Sequence, residues 1–407
     1  MDNVIEVYID HGGSTTLVGH CRHIGKSERS SSLFEYADSW LTDTRAFALD
    51  PANLPLSRHQ YYRTSRKSAL PGAIRDGAPD RWGRQLIRRA VLKSGARKTL
   101  TEVDYLLGVT DNSRIGALRF RRTGDSGFSQ TVGKYRIPPL VQLPALLNAA
   151  AAVQYDLESG EDLRLLLYQG SPLGGARPKS AVIDNDGSLA IAKFPKPSDV
   201  RSIPHGEVMA LSLARKAGLN AASGRLEIVA GNPVALIRRF DRVGKQRIPF
   251  LSAMSLLGLD DGDTATYTDI AELIRMYSAA PKVDLHELWR RVVLGVMIGN
   301  LDDHLRNHGF LHAGDNQWRL SPAYDLNPVP LHEKARELTT WISEEGPEAN
   351  LELAFNAAPY FALNLVEAKQ IVSQVSTVVT KWCEVARGLQ MTAADMATYA
   401  TAIVTDA

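Results

Sequence analysis

Residues 299–307 read Gly299-Asn300-Leu301-Asp302-Asp303-His304-Leu305-Arg306-Asn307. They follow a stretch in which Leu285, Leu288, Trp289, Val292, Val293 and Val296 recur at helical spacing, which predicts one buried helical face. Asp302 and Asn307 have the Asp-x4-Asn spacing of the loop that carries a general base and a metal-holding amide in kinase-like folds. Asp325 follows in Ser321-Pro322-Ala323-Tyr324-Asp325-Leu326, after a hairpin-like stretch around Ala313-Gly314-Asp315-Asn316. Phosphoryl transfer needs one carboxylate to accept the proton of the attacking hydroxyl. It also needs an Asn and an Asp oxygen to hold Mg²⁺ against the phosphates. Asp302, Asn307 and Asp325 supply that set in chain order. Asp303 is the competing base, but it lies one residue too close to Asn307. His304 adds nothing to the metal set and either braces the loop or touches phosphate. His308 and His312 have no second ligand at zinc-site spacing and read as structural.

Upstream, Gly170-Ser171-Pro172-Leu173-Gly174-Gly175-Ala176-Arg177-Pro178-Lys179 precedes a strand at Ser180–Ile183. Glycines let backbone N–H groups approach phosphates, and Arg177 and Lys179 add positive charge. Such a run is equally a plain turn, and it lacks the Gly-Lys-Ser/Thr ending of a P-loop. Residues 181–183 and 189–194 alternate as a hairpin about Asn185-Asp186-Gly187. Its return strand carries Lys193, which either holds nucleotide phosphates or faces water on a sheet edge. Glu207, on the next helical stretch, is placed to orient it.

Farther from this centre the pattern is α+β. Val4–Ile9, Thr16–Gly19, Phe47–Leu49 and Ile115–Phe120 read as short strands. Helices are expected from Asp80, with Trp82, Leu86, Ile87, Ala90 and Val91 on one face, and over 101–107, 140–153 and 207–217. A second hairpin is expected over 225–229 and 234–240, and helices predominate from Tyr267 onward. The expected division is a small N-terminal α/β domain at 1–125, a sheet-containing nucleotide-binding lobe at 134–255 and a helical C-terminal lobe at 256–407. A cleft between a sheet lobe and a helical lobe is a favoured ligand site.

Composition excludes several classes. Of 407 residues, 44% are apolar and 23% charged, which rules out a disordered chain, a collagen-like chain and a coiled-coil rod. No run approaches 18 uninterrupted apolar residues. The two cysteines, Cys21 and Cys383, form neither a disulfide framework nor a metal-ligand spacing, and the N-terminus carries no signal pattern, so a reducing cytoplasm is expected. The net charge of +2 is uneven. Between Arg58 and Lys98 twelve Lys and Arg face only Asp76 and Asp80, a local net of +10 that leaves −8 for the remainder. That stretch either binds a polyanion or an acidic partner, or is a solvated helix face with intramolecular partners.

These residues together resemble the HipA family of bacterial toxin kinases. The matching pieces are Gly174–Lys179, Ala192-Lys193-Phe194-Pro195, Arg239-Phe240-Asp241-Arg242, Gly299–Asn307 and Ala323-Tyr324-Asp325-Leu326. Asp76-Gly77-Ala78-Pro79-Asp80-Arg81-Trp82-Gly83-Arg84 and Gly116-Ala117-Leu118-Arg119-Phe120 are similar to that family's N-terminal domain. The resemblance runs from about residue 4 to 390. It implies a kinase-like two-lobe fold and a Ser/Thr protein kinase of the type II toxin–antitoxin kind, using ATP and Mg²⁺. It further implies a target in the translation machinery, of the aminoacyl-tRNA synthetase class, and a small helix-turn-helix antitoxin (HipB-like) through which DNA is contacted. By the same resemblance Lys193 meets the ATP phosphates, with Gly174, Gly175, Ala176, Arg177, Lys179 and His304 nearby, Asp302 is the base, and Asn307 and Asp325 bind Mg²⁺. Ile237–Phe240, with Arg239 and Phe240, forms the adenine hinge. Two departures stand out. The position of the family's autophosphorylated serine falls on Pro172, with Ser171 beside it as the candidate, and the hinge carries Arg238 and Arg239 where an acidic residue is expected. The competing readings are a small-molecule kinase of the same fold and a DNA-binding co-regulator that uses the Arg58–Lys98 stretch. The chain has no recognisable helix-turn-helix of its own, which counts against the latter.

Overall fold

In a computed structural model of the chain, the described residues are 4–25, 30–58, 61–64, 69–96, 99–128, 137–167 and 175–405. Ser171 and Gly174 lie outside them. Along the chain the strands are β1 (Val4–His11), β2 (Ser14–Ile24), β3 (Ser31–Tyr36), β4 (Tyr62–Arg63), β5 (Leu118–Arg122), β6 (Lys179–Ile183), β7 (Leu189–Lys193), β8 (Gly224–Val229), β9 (Asn232–Arg238), β10 (Arg242–Val243), β11 (Gln246–Arg247), β12 (Phe250–Ser252), β13 (Gly309–Gly314) and β14 (Gln317–Leu320). The first eight helices are α1 (Asp38–Leu41), α2 (Gly72–Arg75), α3 (Arg81–Lys93), α4 (Glu102–Leu107), α5 (Leu143–Gln154), α6 (Gly160–Leu167), α7 (Ile203–Lys216) and α8 (Ala253–Leu256). They are followed by α9 (Tyr267–Tyr277), α10 (Pro281–Ile298), α11 (Leu351–Ala357), α12 (Leu365–Val379), α13 (Trp382–Gly388) and α14 (Ala393–Ala400). The fold is α+β. It divides into two compact units, the first comprising 1–197, 238–261 and 314–316, the second 198–237, 262–313 and 317–407.

The first unit is built on an antiparallel sheet of order β4-β3-β2-β1-β5. In β1 the side chains alternate, with Ile5, Val7 and Ile9 buried, as a strand with one face on a core requires. The register slips between Val7, opposite Gly19, and Tyr8, opposite Leu17, so Val18 is the extra residue of a bulge. Phe47-Ala48-Leu49 is buried but is no strand, contrary to expectation. Side chains take its backbone groups instead. Trp40 Nε1 donates to the Phe47 carbonyl at 3.2 Å, and the amides of Ala48 and Leu49 donate to Asn316 Oδ1 and the Tyr36 hydroxyl. The strand expected from Ile115 starts only at Leu118, because the 113–117 segment serves a buried charge knot.

That knot is centred on Asp241. Its carboxylate accepts from Arg239 Nε at 2.7 Å and Nη2 at 2.5 Å, from Arg242 Nη1 at 2.6 Å and from the Gly116 amide at 2.7 Å. Arg239 also donates to the carbonyls of Ser113 and Arg114, and Arg242 to those of Gly116 and Arg114. Burial pushes the Asp241 pKa up, but the neighbouring Arg239 and Arg242 guanidinium groups outweigh it and hold the carboxyl well below the ordinary value. One carboxylate thus stitches the loop before β5 to the chain after β9.

Four residues of the basic stretch are paired within the chain. Arg75 pairs with Asp260, Arg84 with Glu102 at 2.6 Å, and Arg89 and Lys93 both with the buried Glu158 at 3.0 and 3.3 Å. Its helix α3 begins where expected, with Asp80 as N-cap, and buries Trp82, Leu86 and Ile87; Ala90 and Val91 stay half-exposed.

In the second unit, α10 packs against α9 and α12. A single buried face was expected, yet all residues from Val292 to Ile298 are buried, so the last two turns are enclosed on every side. Helix α7 starts at Ile203, ahead of the expected Glu207, and carries Pro204 in its first turn, where a missing N–H is harmless. β8 and β9 form one hairpin and β13 and β14 another, the latter turning through Asp315 and Asn316, both with positive φ. Among the described residues no helix is long and apolar enough to cross a membrane.

Asp241→Asn leaves two buried guanidinium groups short of their counter-charge, and is expected to cost about 3–5 kcal/mol of stability at neutral pH. Because the folded pKa is depressed, this contribution exists above the ordinary carboxylate value of 3.8 and fades as pH falls below it. Urea midpoints of wild type and variant should therefore stay apart from pH 7 down to about pH 4 and draw together only below it.

Candidate functional site

The enclosed end of α10 determines how the 299–307 loop starts. Gly299 caps the helix in the left-handed region, at φ 69° and ψ 41°, and a Cβ there would lie 2.7 Å from the Ala402 carbonyl oxygen. The chain then reverses through Asn300, which is buried and accepts the Asn327 amide at 2.8 Å. The Leu301 side chain is fully buried, and its carbonyl accepts from Lys334 Nζ at 2.9 Å and Thr339 Oγ1 at 3.0 Å. With both preceding residues anchored inward, Asp302 is exposed.

Asp303 faces the opposite way. It is buried, accepts a short hydrogen bond from the Tyr267 hydroxyl and lies 3.2 Å from His308 Nε2. Burial raises its pKa, but the His308 ring and the two side-chain hydrogen bonds prevail and lower it. The Tyr267 hydroxyl is pushed far up by burial and by the Asp303 charge, so it stays a donor. Of two adjacent carboxylates, one is therefore committed to the core and the other is presented to solvent.

Asn307 is buried in a short 3-10 turn closed by its amide on the His304 carbonyl at 2.7 Å. Its Nδ2 reaches the Asp302 carbonyl at 3.4 Å, and its Oδ1 is a buried acceptor with no hydrogen-bond partner. Asp325 lies on the segment that hydrogen bonds draw onto this loop from both sides: Tyr324 Oη donates to the Arg306 carbonyl at 2.5 Å, and the Asn327 amide to Asn300. The backbone of Asp325 is left-handed, with φ 58°, and its Oδ1 accepts from Asn327 Nδ2 at 3.2 Å. Such a conformation in a non-glycine residue costs about 1–3 kcal/mol and persists only where the surroundings enforce it. A buried amide oxygen without a hydrogen-bond partner and a half-exposed carboxylate, on segments joined by these hydrogen bonds, are oxygen donors of the kind a hard cation such as Mg²⁺ takes. No group of three or more His, Cys, Asp or Glu that could hold a metal occurs among the described residues. His304 Nδ1 is buried without a partner, while His308 and His312 stack edge-on with Tyr267 and Trp318.

The phosphate-side candidates lie in the first unit. In the β6–β7 ladder Lys193 stands opposite Lys179, and Ala190, Ile191 and Ala192 before it are buried. Lys193 itself is half-exposed, Ala176 is exposed and Arg177 half-exposed. Lys179 is buried and paired with Asp80 at 2.8 Å, a partnership that sequence reasoning missed because the two stand 99 residues apart. Arg239 is spent in the Asp241 knot and offers no side chain to a nucleotide base; Phe240 lies half-buried, 6.4 Å from the Phe250 ring. Glu207 is buried on α7.

Comparison with known proteins places this geometry. The family model of the HipA-like C-terminal domain matches residues 171–382, and that of the HipA N-terminal domain matches 14–121. A Haemophilus influenzae protein whose name proposes a kinase is 26% identical over 46% of this chain and 62% of its own. The proposed kinase Y4mE of Sinorhizobium fredii is 27% identical over 72% of this chain and 71% of its own. The chain thus spans less than two thirds of the first of these relatives. A chain of the Shewanella oneidensis toxin–antitoxin complex of HipA, HipB and operator DNA shares the fold, with a TM-score of 0.67 at 15% identity, over 97% of this chain and 94% of its own.

Tyr267→Phe removes the hydroxyl that satisfies Asp303 and is expected to lower stability by about 1.5–3 kcal/mol, the value of a hydrogen bond to a charged group. Urea denaturation checks this, and an unchanged midpoint would show that His308 alone suffices.

Proposed function

The chain belongs to the HipA family, and on that premise we propose that it is the toxin kinase of a toxin–antitoxin pair, a Ser/Thr protein kinase that uses ATP and Mg²⁺. The observation that carries this reading is the contrast within one loop: Asp302 exposed, and Asn307 Oδ1 buried and unpartnered one turn away. In this reading the Asp302 carboxylate accepts the proton of the substrate hydroxyl as its oxygen bonds to the γ-phosphorus. The bond from that phosphorus to the β,γ-bridging oxygen breaks, and ADP leaves. Asn307 and Asp325 hold Mg²⁺, which neutralises phosphate charge when bound. Lys193, together with Arg177 and the backbone of 175–176, faces the phosphates, Lys179 lies behind them on Asp80, and the backbone of 237–240 meets the adenine. His304 braces the loop beside them.

The substrate is proposed to be a protein of the translation machinery, of the aminoacyl-tRNA synthetase class, and the partner a small HipB-like helix-turn-helix antitoxin. HipB and operator DNA accompany HipA in the solved Shewanella complex, which supports that choice of partner. Autophosphorylation is proposed at Ser171. Intramolecular pairing of Arg75, Arg84, Arg89 and Lys93 weighs against an independent DNA-binding role for this chain.

Asp302→Gln and Asp325→Gln are each expected to lower phosphoryl transfer by about 10³-fold or more, as when a charge-stabilising group is removed from a transition state. Transfer of ³²P from ATP into a bacterial lysate, with the labelled protein then identified, measures the activity and names the target. Near-wild-type labelling by Asp302→Gln would exclude it as the base. Label appearing only on a small molecule would favour a small-molecule kinase.

A further inference from the structure

The first turn of α3 grips the segment 175–179 at three points. Asp80 Oδ2 accepts from Lys179 Nζ at 2.8 Å, with the two side chains only 4% and 2% exposed. Trp82 Nε1 donates to the Lys179 carbonyl at 3.0 Å, and the Trp82 amide reaches the Gly175 carbonyl at 3.5 Å. Gly175 has φ +101°, and a Cβ there would stand 3.2 Å from Lys179 Nζ, so the backbone passes close over the ammonium. Asp80 divides its carboxylate between two tasks. Oδ1 caps α3 by accepting the Gly83 amide at 2.8 Å, while Oδ2 holds Lys179.

An apolar contact would fasten α3 to β6 without desolvating two charges. A buried ion pair instead fixes one distance and one direction, and this one ends on the first residue of β6, directly across the ladder from Lys193. Resting on the kinase reading, we propose that Asp80 is a positioning residue for nucleotide binding. Acting through Lys179, it holds the Gly175–Lys179 segment, and Arg177 on it, in the conformation that receives the ATP phosphates. The Asp-Arg-Trp-Gly run of the N-terminal domain is then a part of the nucleotide site that touches no nucleotide.

The two tasks of Asp80 can be separated. Asp80→Asn keeps an N-cap oxygen and removes the charge, and Asp80→Glu keeps the charge and weakens the cap. With Mg·ATP titrated calorimetrically into the full-length chain, Asp80→Asn is expected to bind about tenfold more weakly or worse, the effect of losing a charge-assisted hydrogen bond. Asp80→Glu is expected to stay within a few-fold of wild type while melting at a lower temperature. Lys179→Met and Asp80→Asn/Lys179→Met should bind ATP equally weakly, because Asp80 then has nothing to act through. This comparison remains decisive where Asp80→Asn alone does not fold. Wild-type affinity in Asp80→Asn or in Lys179→Met, or a further loss in the double variant, would overturn the proposal and leave the kinase reading intact. A wild-type chain that does not bind ATP would remove both.

Discussion

Desolvated charge governs how this protein is assembled, and Asp241 is its clearest instance. A carboxylate that is 1% exposed can stay ionised only where donors meet it from several directions, and here they come from Arg239, Arg242 and the amide of Gly116. The guanidinium groups in turn engage the carbonyls of Ser113, Arg114 and Gly116. That demand keeps Ile115–Ala117 from extending β5 and fixes the direction in which the chain leaves β9. It also removes Arg239 from any list of side chains able to meet a ligand. The sequence Arg239-Phe240-Asp241-Arg242 is therefore an architectural signature more than a chemical one.

The same rule separates Asp302 from Asp303. Adjacent in sequence and identical in chemistry, they differ because Tyr267 and His308 satisfy one of them inside the core. A residue fully engaged by the core turns inward, and its neighbour, with buried residues on both sides, faces solvent. The loop between Gly299 and Asn307 thus resembles a lever with Leu301, Asp303 and Asn307 buried and Asp302 left outside.

Features set by neighbours in sequence were legible in advance. The turn at Asn185-Asp186-Gly187 joins β6 to β7 with Gly187 at positive φ, and Asp80 caps α3 as its position before a helical run requires. The spacing of Asp302, Asn307 and Asp325 could be read from the sequence alone because the three lie on two short neighbouring segments. Features set by distant partners were not. Phe47–Leu49 has the composition of a strand but hydrogen-bonds to Trp40, Asn316 and Tyr36 instead of to a neighbouring strand. The enclosure of α10 on all sides depends on helices far along the chain, and the Asp80–Lys179 and Arg75–Asp260 pairs unite charges that sequence proximity never brings together. The basic stretch could be read either as a surface for a polyanion or as an internally paired face, because the acidic partners of four of its residues, among them Glu102, Glu158 and Asp260, lie beyond its end.

The cap at Gly299 carries a consequence for biosynthesis. Its tight contact is with the carbonyl of Ala402, which also accepts from Arg336, while the Val404 amide donates to Met297. A ribosome that has completed the Asp302 loop has not yet made the residues that close behind it. The nascent chain therefore carries an unfinished hinge at the base of that loop until residues 402–404 emerge. The base of the loop is therefore completed only by residues that lie far downstream of it in the chain.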